Sequence, residues 1–241
     1  MREVNVGLEA VMNTYFEYVG CTKCSLCSNR VSKDVLPGFG STSADIVIIV
    51  DKPTEEDDIS SELLSDATGK FLMNLLEMCW YDDDTEMDKL RDLYGEAYFE
   101  AVRDYLSEHI FFTSLVACPT EENVQVTKNQ AETCAQRVYK LIYQVDPLLV
   151  ICMGSVAGKY ILGKGDAPAN RGMVKEIEIP SLYSDRGIKY AGMITHHPKH
   201  LMNAGDQNLI DQKRGLTYNT IQDIKKALRI VETHKKLQGL L

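Results

Sequence analysis

Three groups of residues in this sequence have types and spacings that can do chemistry. Cys21-Thr22-Lys23-Cys24 is a pair of thiols with a two-residue gap, and Cys118 and Cys134 follow in mid-chain. A two-residue gap lets two thiolates grip one metal centre, and two distant cysteines can close a four-thiolate shell. Such shells hold zinc or an iron–sulfur cluster. On spacing alone both stay open, as do ordinary buried thiols. Cys27 is a further candidate beside the pair, whereas Cys79 and Cys152 lie in apolar runs and read as core. The second group is Asp51-Lys52-Pro53-Thr54, a carboxylate and an ammonium in a turn that proline stiffens. There a carboxylate can position water or stabilise a cationic transition state, or the turn is a solvated loop. The third is His196-His197-Pro198-Lys199-His200, where an imidazole can donate to a developing anion.

Both polar groups follow apolar runs that read as strands. Residues 44–50 are a short, mostly β-branched run of the kind found in buried parallel strands. Residues 109–117 and 148–152 read as further strands, as do 174–179 and 189–195. Helical spacing is expected over residues 8–19, 71–78, 127–144, 156–162 and 206–237, with Thr127 as an N-cap. Over 87–107, Leu90, Leu93, Tyr94, Ala97, Tyr98, Ala101 and Tyr105 predict one acidic amphipathic helix whose stripe packs on the core. Alternating strands and helices predict an α/β fold with three layers, α/β/α, around a mostly parallel sheet. Ligands of open α/β sheets bind at the carboxyl ends of strands, where Asp51 and His197 would lie. No repeat or linker interrupts the pattern, so residues 1–241 are expected to form one domain with an acidic helical insert at about 82–108.

The formal net charge of −9 alone argues against nucleic-acid binding, but the charge is uneven. Residues 51–108 hold 18 acidic against 5 basic side chains, and residues 199–241 hold 8 basic against 4 acidic. An acidic protein can therefore carry one basic face. The acidic run reads most simply as solvated helix faces. No apolar run approaches the roughly 18 residues of a membrane span, and the N-terminus lacks a signal-peptide core. A cytoplasmic protein without a membrane partner is expected, with its cysteines reduced.

In this order the pieces resemble the uracil-DNA glycosylase superfamily, and within it the iron–sulfur family 4 enzymes. The resemblance covers about residues 21–202. It rests on Cys21-x-x-Cys24-x-Leu26-x-x-x-Arg30, Gly38-x-Gly40, the strand ending in Val50-Asp51-Lys52-Pro53-Thr54, and Cys118 with Cys134. The turn Gly154-Ser155-Val156-Ala157 and the His197-Pro198-Lys199 loop complete it. The resemblance implies a [4Fe-4S] cluster on Cys21, Cys24, Cys118 and Cys134, with zinc as the alternative. It also implies a DNA base flipped into a pocket. Asp51 would assist water and the oxocarbenium-like sugar, and His197 would stabilise the departing base anion. Lys52 and Pro53 would line the substrate loop, and Pro198 and Lys199 would contact DNA, Lys199 through phosphate.

Several positions depart from the family pattern: Asp51 is one methylene shorter than the family's glutamate, Lys52 adds a charge where a small residue is usual, and Lys199 replaces a serine. Val50 and Thr54 stand where the family has glycine, Leu63 or Leu64 where an aromatic stacks on the base, and Ser114 where an asparagine reads its edge. Leu63 and Ser114 are therefore expected as altered substrate contacts, with uracil or a modified pyrimidine as the excised base. The alternative is a non-catalytic DNA-binding or partner-binding module that kept the fold. A monomer is expected, and the insert is a candidate protein-docking surface, though an extra packed helix is the simpler reading.

Overall fold

Five consecutive β-branched residues, Ile46–Val50, form the strand about which the sheet is built, and all five are buried. A run that is apolar on both pleat faces is stable only with a layer packed on each side. The computed structural model describes residues 4–32, 34–80, 84–121, 124–180, 187–210 and 212–239. In chain order it contains α1 (Val4–Tyr18), β1 (Phe39–Gly40), β2 (Ile46–Val50), α2 (Glu55–Ser60), α3 (Ala67–Trp80), α4 (Asp84–Tyr94) and α5 (Tyr98–His109). There follow β3 (Ile110–Ser114), α6 (Lys128–Val145), β4 (Leu149–Met153), α7 (Ser155–Ile161) and α8 (Ala167–Asn170). Last come β5 (Lys175–Ile179), β6 (Ile188–Thr195), α9 (Pro198–Ala204) and α10 (Gly215–Leu237).

The six strands lie in the order β1-β3-β2-β4-β6-β5. β3, β2, β4 and β6 are parallel, and the edge strands β1 and β5 are antiparallel to their neighbours. Residues of α6 and α7 bury against one face with Val47, Ile49 and Val150. Residues of α3, α5 and α10 bury against the other with Ile46, Ile48 and Ile151. The three-layer α/β/α architecture is therefore as expected. From β2 the chain moves to β3 on one side, and from β4 to β6 on the other. The crossovers after β2 and after β4 cover opposite faces, so a crevice opens between their carboxyl ends.

Several boundaries differ from the sequence reading. The single helix expected over 87–107 is two helices, because Gly95 takes a left-handed φ of 52° between α4 and α5. That break rotates the stripe out of phase. Leu93 is 74% exposed, and the buried residues of α5 are Val102 and Leu106. The closing helix begins at Gly215, after a 3-10 turn at Gln207–Leu209, rather than at 206. Two short helices, α2 and α9, replace expected loops, each started by a side-chain N-cap, Thr54 and His197. Residues 82 and 83 of the insert lie outside the described residues. No described helix is long and apolar enough to cross a membrane.

The acidic run at 55–58 is not a solvated face throughout. Asp57 and Asp58 are both buried. Asp57 accepts from the Thr54 backbone at 3.0 Å and from the Ser65 N–H at 2.8 Å, joining both ends of one loop. Asp58 accepts from the Ser32 N–H at 3.2 Å and thereby ties α2 to the segment after the first cysteines.

Candidate active site and thiol cluster

The register sets the positions of the polar groups. Val50 pairs with Ser114 and with Met153, and Met153 pairs with Thr195. The next residues, Asp51, Leu115, Gly154 and His196, therefore leave the sheet side by side. β2 and β6 are separated only by β4, so their ends stand roughly 10 Å apart at the usual strand spacing. A cleft of about 600 Å³ opens there. Asp51, Lys52, Pro53, His197, Pro198 and Lys199 all line it, so the two polar groups singled out in the sequence share one wall-to-wall space.

The Asp51 carboxylate sits against the first turn of α7. Its Oδ1 accepts from the Ala157 N–H at 2.7 Å, and the Val156 N–H also bonds the carboxylate. Gly154 allows this approach: its φ is 119°, and a Cβ there would come within 2.6 Å of Asp51 Oδ2. Burial raises the Asp51 pKa to about 6; the two backbone N–H groups and Lys52 act in the opposite direction and offset only part of it. A carboxylate has about four lone-pair sites, so acceptor capacity remains for water.

His197 caps α9: its Nδ1 accepts from the Lys199 N–H at 3.1 Å. With Nδ1 an acceptor, the neutral ring carries its proton on Nε2. Burial pushes the His197 pKa down to about 4, helped by Lys199, Lys52 and His200. The imidazole is thus neutral at pH 7 and can donate through Nε2. Lys52 Nζ donates to Thr120 Oγ1 and, at 2.8 Å, to the Val124 carbonyl. The loop after β2 is so strapped to the loop after β3, and Thr120 and Glu121 join the cleft wall.

The two altered substrate positions fall differently from expectation. Leu63 is buried in the core and does not line the cleft; its neighbour Leu64, with a left-handed φ of 61°, does. Ser114 is also buried and is not a lining residue: it lies on β3, beside Val50 and on the side of β2 away from β4. Its Oγ has no hydrogen-bond partner. The Leu63 and Leu64 carbonyls accept from Arg103 on α5, at 3.1 and 3.4 Å, while that guanidinium lies over the Phe39 ring at 4.3 Å. Part of the insert therefore braces the cleft wall. Arg103→Ala is expected to cost about 2 kcal/mol, a Tm lowered by roughly 4–8 °C in thermal unfolding.

Cys21, Cys24, Cys27, Cys118 and Cys134 surround one small void. All are free thiols. Burial raises the Cys118 pKa to about 12; Arg30 opposes the shift, and Cys134, Cys24 and Cys21 add to it. Cys27 perturbs Cys24 but is not among the groups perturbing Cys118. Three buried donors near these thiols have no partner: Nε and Nη1 of Arg30 and Nε of Arg137. The remaining donors of Arg137 reach Thr113 Oγ1 at 3.2 Å and the Ser114 carbonyl. Arg30 Nη2 donates to the Cys21 carbonyl at 2.9 Å. Orphaned guanidinium N–H groups around clustered thiols fit an anionic, thiolate-bound centre. Among the described residues no three His, Cys, Asp or Glu side chains are gathered to hold a single ion.

Comparison with known proteins adds a decisive observation. The family model "Uracil DNA glycosylase superfamily" matches residues 37–221, more than three quarters of the chain. The chain belongs to the uracil DNA glycosylase superfamily. It is 22% identical over 176 residues to a type-4 uracil-DNA glycosylase of Archaeoglobus fulgidus, covering 71% of this chain and 75% of that protein. It is 24% identical over 144 residues to one from Saccharolobus solfataricus, covering 60% and 55%. It is 23% identical over 148 residues to one from Sulfurisphaera tokodaii, covering 61% and 56%. The chain thus spans just over half the length of the last two. The superfamily match includes Asp51, His197, Cys118 and Cys134 and begins after Cys21 and Cys24.

Arg103, Arg137, Thr120 and Glu121 were missed as site residues, and of the two leucines offered for the stacking position it is Leu64 that lines the cleft. Arg137 carries no signal in the sequence, since an arginine on an amphipathic helix reads as solvated. Arg30 stands in the cysteine motif itself and could have been given a role.

Proposed function

We propose that this protein is a DNA glycosylase that flips uracil or a modified pyrimidine into the Asp51–His197 cleft and hydrolyses its N-glycosidic bond. The observation that carries the reading is the pairing, across one cleft, of an acid titrating near 6 with an imidazole neutral at pH 7. Ionised Asp51 orients water and stabilises positive charge on the sugar, and His197 Nε2–H stabilises the departing base anion. Lys199, exposed on the rim, contacts phosphate, while Pro198, buried at the first position of α9, fixes the turn that presents it. Lys52 and Pro53 shape the base-binding wall. Leu64, in place of the expected Leu63, supplies the apolar surface against the base. Ser114, buried beside Val50 and outside the cleft lining, is left no direct contact with the base.

Cys21, Cys24, Cys118 and Cys134 would hold a [4Fe-4S] cluster. When bound it would supply a fixed anionic cross-link with no open coordination position for water. Arg30 and Arg137, whose spare N–H groups are buried without partners, would donate to that anion. The single sheet supports a single domain, and the protein is read as a cytoplasmic monomer acting on DNA.

A base-release screen on single-stranded and duplex DNA, with uracil and then modified pyrimidines, tests the activity. His197→Ala is expected to slow release about 10²–10³-fold. No product with any base, alongside measurable DNA binding, would replace the reading with that of a non-catalytic DNA-binding module.

A further inference from the structure

Glu77, on α3, is completely buried, and neither of its carboxylate oxygens has a hydrogen-bond partner. The buried hydroxyl of Tyr98 on α5 is also unpartnered. Both line one cavity of about 90 Å³, together with Tyr94, Ala101 and Tyr105. Buried polar groups in native proteins are nearly always satisfied, so two orphans facing one cavity point to something the cavity receives. The rim is open: Tyr94 is 46% and Tyr105 37% exposed, and Leu93 beside them is 74% exposed.

The cavity selects its guest by size and charge. At about 30 Å³ per water it takes roughly three waters or the end of one side chain, and no nucleotide. One carboxylate and a phenol are too few oxygens for calcium, which needs six to eight. A carboxylate walled by tyrosine faces is the chemistry that recognises an alkylammonium. The Arg91 guanidinium already lies over the Tyr98 ring at 5.5 Å while paired with Asp88 at 3.5 Å, so that ring accepts a cation. Among the described residues of α4 and α5, Asp88, Asp92, Glu100, Asp104 and Glu108 are exposed against Lys89 and Arg91, a balance that favours a basic protein segment. We propose that the Glu77–Tyr98 cavity is a socket for a lysine side chain of a basic protein partner docking on the acidic insert. The site is separate from the cleft and independent of the glycosylase reading.

The test titrates the full-length protein with N-α-acetyl-lysine amide, following the tyrosine ring signals by NMR. N-α-acetyl-norleucine amide serves as the uncharged control. Saturable shifts of Tyr94, Tyr98 and Tyr105 are expected with the lysine probe, with binding at least tenfold weaker for the norleucine probe. Glu77→Gln should weaken the lysine probe at least tenfold without lowering Tm, since it removes a buried charge. Should that variant not fold, Tyr98→Phe repeats the test with a loss of about threefold, one hydrogen bond's worth. Equal binding of the two probes, or no saturable binding, overturns the proposal. So does a Tm lowered equally by Glu77→Gln and Arg91→Ala, which would make Glu77 the internal partner of Arg91.

Discussion

Asp51→Asn is expected to cut base release about 10²–10⁴-fold while leaving Tm nearly unchanged. The amide keeps the side chain's shape and its acceptor for the Ala157 N–H, but it cannot ionise. The pH profile makes the assignment sharper. Burial raises the Asp51 pKa to about 6, so the active anion is present above that value and lost as pH falls through it. His197 has already lost its proton by about pH 4, so it imposes no limb between 6 and 8. Single-turnover release should therefore rise through about pH 6 to a plateau. A profile peaking near pH 4 would require protonated His197 and would reject neutral imidazole as the donor.

Cys118→Ser is expected to yield a colourless protein that unfolds at least 6 °C lower than the parent. The parent, prepared anaerobically, should be brown with the visible absorbance of an iron–sulfur cluster; a colourless zinc protein would replace the cluster with a single ion. Losing the anionic centre leaves Arg137, 2% exposed, as a buried cation short of one partner. Uncompensated buried charges cost about 3–5 kcal/mol, or roughly 6–20 °C for a chain of this length. The second readout is local. The segment after the cysteines is held to the rest by the Leu36 N–H on the Ala117 carbonyl at 3.0 Å and by Gln130 on Ser25 at 3.0 Å. Without the cluster these contacts, the Asp58–Ser32 bond and the burial of Leu26 and Val35 are left to retain it, and hydrogen exchange over residues 20–36 should rise.

The sheet was legible because β2 and β4 are short unbroken apolar runs and β3 and β6 mostly apolar ones, and the cleft because Asp51 and His197 each lie just after such a strand. Capping chemistry was partly legible. Thr127 was recognised, whereas Thr54 was read as a departure from a glycine although its φ of −89° is ordinary for a cap. What did not read through was depth. Asp57 and Asp58 sit in an acidic run whose average character is solvated, and only tertiary contacts with Ser65 and Ser32 take them inside. Leu63 and Ser114 failed for a similar reason: sequence gives proximity to a motif, but a left-handed residue at 64 and one strand's offset decide which side chain meets the cleft. The stripe over 87–107 failed at Gly95, whose positive φ a helical projection ignores.

Helix α2 is only six residues long, too short to persist by itself. Its two inner carboxylates fasten it to partners from opposite directions in the sequence: Asp57 to the start of α3, Asp58 to the thiol-bearing segment. Its position in the fold therefore rests on both partners at once. That matters because α2 carries one wall of the cleft. The Asp58 bond to Ser32 thus links that wall of the cleft to the segment that follows the cysteines.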